Sequence, residues 1–244
     1  DNEKMIIFAN YLLYLAKKFY IVRLFDEIAP TYDKLNHLLS LNIDKSWRSK
    51  SVKQILSTHP HTVLDIACGT GDFSIELAQK GIEKVIGVDI SEGMMKIGIQ
   101  KVEALGLSDR ISMHVDDSEA LSLEDNSVDA VSVAFGVRNF EHIQLGLNEM
   151  YRVIRSGGTV NVLELSVPSN ALLRWGYEVY FIYILPFFGG LISGNRKAYK
   201  YLPASVLHFP KPEVFMSMLT IAGFKNVKQK SFTFGLCRLF TGEK

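Results

Sequence analysis

Two glycines and a carboxylate further along the chain have the spacing of a nucleoside-binding turn. The segment 63–72 reads VLDIACGTGD, an apolar run that turns through Gly69 and Gly71. A second apolar run ends on Asp89, 18 residues after the last of these glycines. Glycine leaves room for a ligand to approach the backbone, and a carboxylate at this distance can accept both hydroxyls of a ribose. The pattern predicts a strand, a turn, a helix and a second strand that bind a nucleoside.

The charges around this turn argue against a dinucleotide. Ser74 occupies the place of the third glycine of the dehydrogenase fingerprint, and Asp65 and Asp72 would repel a pyrophosphate at the helix N-terminus. These carboxylates suit instead a ligand that carries a ribose, an ammonium and a sulfonium. The pattern D-x-x-C-G-T-G-D resembles the first motif of class I S-adenosylmethionine-dependent methyltransferases. The alternative is an α/β turn that needs its glycines only for packing. The predicted donor contacts in this region are Asp65, Gly69, Gly71 and Asp89.

Polar residues follow a third apolar run, 110–115. Asp117 lies two residues after that run and is followed by Ser118. At the end of a strand, the carboxylate can reach the amino group of an adenine, while the serine adds a hydroxyl and a backbone donor. These two residues are therefore predicted to bind the same donor. A solvated acidic turn is the alternative.

Arg138 and Asn139 follow a fourth apolar run, 128–135, and are the predicted catalytic pair. An arginine does not give up its proton under ordinary conditions, so it is not a simple base. It can stabilise a phenolate or hold a water that takes a proton. The alternative is a surface arginine paired with Glu141. His142 is a further acid–base candidate, and the spacing of the six histidines predicts no metal site.

Alternating strand-like and helix-like segments predict the elements that hold these residues. A parallel, doubly wound α/β sheet is expected, with ligands at the carboxyl ends of its strands. The predicted strands are 62–66, 84–88, 110–115, 128–135 and 159–165, and the predicted helices are 72–80, 91–104 and 145–155. A helix over 211–222 and two strands within 225–240 would complete the sheet as an antiparallel edge. One domain, 1–244, is expected, divided into a helical cap (1–57), a donor-binding core (58–166), an apolar substrate lid (167–210) and the C-terminal helix and edge strands (211–244).

Composition sets limits on partners and compartment. The chain has 244 residues, 48% of them hydrophobic, and a net charge of +1, which gives no electrostatic case for nucleic acid. Two cysteines form no disulfide framework. The expected location is the cytoplasm, with association with the cytoplasmic face of a membrane left open. The oligomeric state is also left open, with a homodimer among the options.

The segment 179–192 contains no charged residue. As a helix it would reach about 21 Å at ~1.5 Å per residue, less than the roughly 30 Å of a bilayer core, and Pro186 interrupts it. We expect it to line a pocket for an apolar substrate or to touch a membrane surface, with Phe187 and Phe188 in contact with the substrate. An ordinary core helix is the alternative.

Two longer motifs carry a resemblance to a known family. The first motif, Y-D-x-M-N-x-x-x-S-x-x-x-H-x-x-W-R, is matched at Tyr32, Asp33, Asn36, Ser40, Trp47 and Arg48, with Asp44 in place of the histidine. The second, R-V-x-K-P-G-G-x-x-x-x-L-E-x-S, is matched over 152–166 except that Arg155 replaces the lysine and Ser156 the proline, and 135–139 reads FGVRN, similar to the family's F-G-x-R-N. Together they resemble the ubiquinone/menaquinone biosynthesis C-methyltransferases over about residues 24–244.

The resemblance implies a class I fold, a mostly parallel seven-stranded sheet with an antiparallel edge, and methyl transfer to a ring carbon of a polyprenylated quinol. It places donor contacts at Thr70, Asp89 and the pair Asp117–Ser118, and it suits Tyr32 and Arg138 as substrate contacts. A demethylmenaquinol is slightly favoured as the acceptor. The alternatives are a methyltransferase for another lipid or small molecule, and a donor-binding subunit without turnover.

Overall fold

The computed structural model describes residues 18–184 and 196–244. The first half of the described chain contains α1 (18–28), α2 (Tyr32–Leu39), α3 (Ile43–Leu56), β1 (Thr62–Ile66), α4 (Asp72–Gln79), β2 (Lys84–Asp89), α5 (Glu92–Ala104) and β3 (Ile111–Val115). The second half contains β4 (Val128–Ala134), α6 (Ile143–Val153), β5 (Ile154–Leu165), α7 (Ala171–Val179), α8 (Arg196–His208), α9 (Pro212–Ile221), β6 (Lys225–Phe232) and β7 (Cys237–Glu243).

The seven described strands form one sheet in the order β3-β2-β1-β4-β5-β7-β6. The first five pair in parallel, and β7 pairs antiparallel to both β5 and β6. The strand order reverses at β1, which lies between β2 and β4. Ligands of open α/β sheets bind at such a switch point, so the fold places the binding site where the glycine turn follows β1.

The end of α6 differs from its predicted position. The helix stops at Val153 and β5 begins at Ile154, so the two glycines at 157 and 158 lie within a strand. Gly157 has a φ of +79°, and a Cβ on Gly158 would lie 2.4 Å from the carbonyl oxygen of Asp129. These glycines therefore permit a close approach of two strands, where the pairing of β4 with β5 shifts register, and they do not end the helix.

Apolar side chains cover both faces of the sheet. On one face, α6 and α9 contribute Leu147, Met150 and Phe215, and the Phe215 ring packs at 4.8 Å from that of Phe240. On the other face, α3, α4 and α5 pack against β1 and β2. Val52 of α3 belongs to that second cluster, so the end of the predicted cap shares the core of the donor-binding sheet.

A smaller cluster joins the N-terminal helices to the segment after β5. Buried Leu24 and Ile28 of α1 pack with Met94, and Tyr180 and Tyr201 lie against them. Within the described ranges, no helix is long and apolar enough to cross a membrane. Phe187 and Phe188 lie outside the described residues, and their predicted substrate contact stays a prediction.

Candidate active site

Two adjoining cavities lie at the carboxyl ends of β1 and β4. The larger has a volume of about 550 Å³ and the smaller about 90 Å³. Both are lined by Gly69 from the turn after β1, by Phe135 and Asn139 after β4, and by Tyr32 of α2. The two cavities therefore meet at the switch point, with the N-terminal helices forming one wall.

The two glycines of the turn have different roles. Gly69, with a φ of +56°, lines both cavities, and a Cβ there would meet only Tyr32 Cε1, at 4.0 Å. Gly71, with a φ of +81°, is the N-cap of α4, and a Cβ there would lie 3.3 Å from Met113 Cε. Gly69 thus leaves space for a ligand, whereas Gly71 serves packing and lines neither cavity.

Asp89 ends β2 in the smaller cavity with both oxygens held by the backbone. The Gly69 N–H donates to its Oδ2 at 2.8 Å, and the Ser91 N–H donates to its Oδ1 at 2.8 Å. Burial raises the pKa of this carboxyl, and the backbone hydrogen bonds offset part of that rise. The contacts fix the carboxylate at the mouth of the turn, where it can accept the hydroxyls of a ribose.

Asp117 and Ser118 line the smaller cavity together with Asp89. The Glu119 N–H donates to Asp117 Oδ1 at 3.0 Å, and Lys18 of α1 forms an ion pair with Oδ2. The predicted adenine contacts and the predicted ribose contact therefore share one crevice. Lys18, which the sequence did not single out, adds a cation at its edge.

Asp65 lines the larger cavity and is also hydrogen-bonded within the fold. The hydroxyl of Ser74 donates to its Oδ2 at 2.6 Å and that of Ser132 to its Oδ1 at 3.3 Å. Burial raises the pKa of Asp65 to about 7. These bonds join β1, α4 and β4. Ser74, which occupies the position of the third glycine of the dehydrogenase fingerprint, therefore donates a hydrogen bond to Asp65.

Asp72 belongs to an ion network that joins the N-terminal helices to the turn. It pairs with Lys101, and His37 Nε2 lies 3.1 Å from its Oδ2. Burial raises the pKa of Asp72, but the hydrogen bond and charge of Lys101 outweigh it and the pKa is lowered. Lys101 also binds Asp33, which accepts a 2.5 Å hydrogen bond from the Thr70 hydroxyl. The charge of Asp72 is thus balanced by the chain itself.

Asp44, which departs from the family signature, is buried in the same network. It accepts hydrogen bonds from Arg48 Nη2 and from the Ser40 hydroxyl, both at 2.6 Å, and His37 Nδ1 lies 2.9 Å from it. The carboxylate therefore accepts from two other signature residues and also contacts His37. This explains how an acidic residue occupies the position of the histidine.

Arg138 lies at the inner wall of the larger cavity. Its side chain is 6% exposed, and Nη1 donates to Glu164 Oε1 at 2.6 Å and to the carbonyl oxygen of Phe135 at 2.5 Å. The alternative of a surface arginine paired with Glu141 is wrong. Burial alone would lower the pKa of Arg138, but the charge of Glu164 raises it, so the guanidinium is a permanent cation. Among the described residues its buried Nε has no hydrogen-bond partner.

Three tyrosines line the larger cavity near this cation: Tyr32, Tyr177 and Tyr201. Burial raises the pKa of each phenol, and the charge of Arg138 acts against that rise. The Tyr201 hydroxyl donates to Asn139 Oδ1 at 3.1 Å. Sequence reasoning singled out Tyr32 but missed the other two.

His142 is not brought into either cavity. It is exposed at the N-cap of α6, and its backbone N–H donates to Glu119 Oε1 at 3.0 Å. Although His142 is close to Arg138 in sequence, it does not line the cavity that Arg138 lines. Its predicted acid–base role finds no geometric support here.

The sheet order, the open glycine turn and the fixed carboxylate at the end of β2 define a class I methyltransferase. The chain belongs to the ubiE/COQ5 methyltransferase family, whose family model matches residues 14–244. The predicted fold class, the methyltransferase activity with S-adenosylmethionine as donor, and the assignment to quinone biosynthesis are confirmed.

Relatives with known names cover most of the chain. It is 44% identical over 225 residues to a demethylmenaquinone methyltransferase of Bacteroides fragilis, with 92% of each chain covered. It is 44% identical to the enzyme of that name from Thermus thermophilus, covering 91% of this chain and 100% of that one. A ubiquinone/menaquinone biosynthesis C-methyltransferase of Geotalea daltonii is 43% identical, with 92% and 96% covered.

Solved structures agree in fold. A methyltransferase of Thermotoga maritima described as a possible histamine N-methyltransferase superimposes with a TM-score of 0.66 at 20% identity, covering 91% of this chain and 98% of that one. A S-adenosylmethionine-dependent methyltransferase from Methanococcus maripaludis gives 0.64 at 22% identity, with 90% and 94% covered. At this identity the likeness concerns the fold alone.

Proposed function

We propose that this chain methylates a ring carbon of a demethylated polyprenyl quinol, with demethylmenaquinol as the favoured acceptor. The observation that carries the proposal is a permanent cation, Arg138, buried in an apolar cavity that adjoins the glycine turn. Relatives named for demethylmenaquinone and for ubiquinone/menaquinone biosynthesis support a quinone-type substrate.

The smaller cavity suits the methyl donor. Asp89 is a fixed acceptor for ribose hydroxyls, Asp117 and Ser118 face the place of the adenine, and Gly69 leaves the backbone open. Thr70 lines the larger cavity beside the same turn. When bound there, S-adenosylmethionine supplies an electrophilic methyl group on its sulfonium. The residues named would hold the donor beside the turn after β1.

The larger cavity suits a quinol ring. A ring carbon becomes nucleophilic when the neighbouring hydroxyl loses its proton, and the charge of Arg138 favours the resulting phenolate. Asn139, oriented by the Tyr201 hydroxyl, can bind a second polar group of the ring. Arg138 keeps its own proton, so a water or another basic group takes the proton that leaves the methylated carbon. Exclusion of bulk water from the cavity strengthens these contacts.

The apolar lining of the larger cavity suits the prenyl tail. Buried CH₂ groups contribute about 0.8 kcal/mol each, so affinity should rise with the first isoprene units. Phe187 and Phe188 are proposed tail contacts, and the protein is proposed to work at the cytoplasmic face of the membrane. Phe187→Asp combined with Phe188→Asp should remove the dependence on tail length while donor binding survives.

The test is methyl transfer from labelled S-adenosylmethionine to a panel of demethylated quinols with tails of different length. Label should enter the ring of demethylmenaquinol, and the Michaelis constant should fall as the tail grows. Menaquinol, whose ring position is already methylated, is the control acceptor. Transfer to an amine lipid but to no quinol, or donor binding without transfer to any acceptor, would overturn the proposal.

A further inference from the structure

Five large apolar side chains lie at the opening of the larger cavity. They line the cavity and are nevertheless exposed to solvent: Leu41, Ile43, Leu172, Leu173 and Phe234. Leu41, Leu172 and Phe234 are 76%, 75% and 80% exposed. We call these five residues the apolar rim. Contiguous exposed apolar surface of this kind marks an interaction site.

Three separate parts of the chain contribute to the apolar rim. Leu41 and Ile43 lie at the connection between α2 and α3, Leu172 and Leu173 begin α7, and Phe234 is at the tip of the β6–β7 hairpin. Each of these is remote in sequence from the other two. Their convergence on one opening is a property of the fold rather than of one hydrophobic segment.

Two rim residues are held in an unfavourable backbone conformation. Leu41 has a φ of +53° and Phe234 a φ of +57°, each beside a second non-glycine residue with positive φ. Such conformations disfavour bulky residues and persist where the surrounding structure imposes them. Glycine would fit both positions better, so the presence of apolar side chains there calls for a role outside folding.

Hydrogen bonds hold the chain segments that carry the rim. The indole Nε1–H of Trp47 donates to the Thr233 hydroxyl at 2.8 Å, which fixes the hairpin tip to α3. Asn170 caps α7 by accepting from the Leu172 N–H at 3.0 Å. The rim is therefore preformed and needs no ordering before it meets a partner.

Exposed aromatic and basic residues follow the rim residues of α3 and α7 along the chain. Trp175 of α7 is 65% exposed, and Tyr183 is exposed after it. Lys45, Lys50 and Arg174 are also exposed, and Arg174 donates to the backbone carbonyls of residues 168 and 169. Interfacial aromatic side chains with flanking cations suit the headgroup region of an anionic bilayer.

We propose that the apolar rim docks on the surface of an anionic lipid bilayer. A bilayer fits better than a protein, because a protein seated on the rim would cover the opening that the rim surrounds, whereas a bilayer supplies hydrocarbon at that opening. The direction of substrate entry rests on the proposed function: a prenyl tail would then pass from the membrane into the cavity without crossing water. The docking itself does not depend on that function.

The test is binding to phosphatidylcholine vesicles with and without phosphatidylglycerol, measured by flotation in the absence of donor and quinol. The decisive variant is Leu41→Gly with Phe234→Gly, since glycine relieves both backbone conformations. We expect this variant to melt no lower than the wild type and to bind anionic vesicles at least about tenfold more weakly. The control is Leu105→Ser with Ile221→Ser, which removes two exposed apolar side chains away from the cavity and should bind normally.

Fluorescence gives a second readout, because the chain has two tryptophans, of which Trp47 is buried and Trp175 exposed. Anionic vesicles should shift the emission to the blue, and Trp175→Phe should remove that shift. Equal vesicle binding by the wild type and the glycine variant would overturn the proposal, as would binding to no vesicle at all. Vesicle binding that survives in a protein inactive on every quinol would overturn the proposed function and leave the docking intact.

Discussion

The donor side and the acceptor side of this site are built by different means. On the donor side, Asp89 is held by two backbone N–H groups, both at 2.8 Å, from the turn after β1 and from the residues after β2. On the acceptor side, Arg138 is held by the side chain of Glu164 together with the carbonyl oxygen of Phe135, and Asn139 by the side chain of Tyr201. One side is positioned by main chain, the other by side chains from distant elements.

Because of this difference, the backbone fold alone fixes the position of Asp89, whereas the positions of Arg138 and Asn139 depend on the identity of other side chains. Backbone donors are set by strand ends and by a turn, so any chain with that turn places its carboxylate in the same way. Side-chain pairs need both partners, and loss of one leaves the other buried and unpaired. The donor side should therefore tolerate changes around it, whereas the acceptor side should be sensitive to single substitutions.

The largest effect should follow loss of the buried cation. Arg138→Ala should lower the single-turnover rate by about 10²–10³ while donor affinity stays near normal, because the phenolate forms only as reaction begins. Arg138→Lys should recover part of the rate, since an ammonium keeps the charge but not the planar fork. The measurement is rapid-quench methyl transfer at saturating donor and quinol.

Stability must be followed in the same experiment. Arg138→Ala leaves Glu164 buried without its counter-charge, which should cost about 3–5 kcal/mol of unfolding free energy. The matched control is Arg155→Ala, which also breaks an arginine–carboxylate pair, here with Asp129 at 2.8 Å, but with the arginine exposed and outside both cavities. A normal rate in Arg138→Ala would move the role to Tyr32.

A smaller effect is expected on the donor side. Asp89→Asn should weaken donor binding about tenfold or more, because charge-assisted hydrogen bonds to the ribose contribute roughly 1.5–3 kcal/mol. The turnover rate at saturating donor should change less. Calorimetric titration with S-adenosylhomocysteine measures the affinity directly.

Asp129 offers a close control for that variant. It too accepts two backbone N–H groups, those of His61 at 2.9 Å and Thr62 at 2.7 Å, but it lines neither cavity. Asp129→Asn should therefore disturb the backbone in a comparable way and leave donor affinity unchanged. Equal losses in both variants would mean that Asp89 acts through the fold and not through the ligand.

The buried carboxyl at Asp65 predicts a pH dependence of stability confined to the donor side. Its pKa is raised to about 7 in the folded protein, above an unfolded value of about 3.9. The folded state therefore binds the proton more tightly, and stability falls as pH rises from about 4 to about 7. From pH 5 to pH 7 the wild type should lose of order 2 kcal/mol more than Asp65→Asn, as measured by urea unfolding. Parallel curves for the two proteins would assign the dependence to other groups.

The elements that depend on local pattern were predicted well. Strand β1 was predicted within its observed bounds, and Ser91 caps α5 by accepting from the Met94 N–H. Asp89, Asp117 and Ser118, which lie at strand ends, line one crevice in the structure, and their contact with the donor stays a prediction. Hydrophobic period and turn glycines carry this information over short distances along the chain.

What depends on distant contacts was not predictable. The partner of Arg138 is Glu164, 26 residues along the chain, whereas the only partner that the sequence suggested, in the alternative of a surface arginine, was the nearby Glu141. The carboxylates Asp65 and Asp72 were interpreted as suited to the ligand, and both line the larger cavity. The fold also gives them partners from other elements, two serines for Asp65 and a set of cations for Asp72, which spacing did not reveal, and their contact with a ligand stays a prediction. Spacing alone identifies charged residues near a turn but does not reveal which of them the fold has already paired.

The smallest expected effect tests whether the acceptor side acts as a set of positioned side chains. Tyr201→Phe removes only the hydroxyl that donates to Asn139 Oδ1 at 3.1 Å, and the ring stays in its cluster with α1. A neutral hydrogen bond contributes about 0.5–1.5 kcal/mol, so the rate of methyl transfer should fall about two- to tenfold. Donor affinity should be unchanged, because Tyr201 does not line the smaller cavity. Steady-state kinetics with quinol varied at saturating donor separates the two sides. If Tyr201→Phe instead weakens donor binding and leaves quinol kinetics intact, the division between a main-chain donor side and a side-chain acceptor side is wrong.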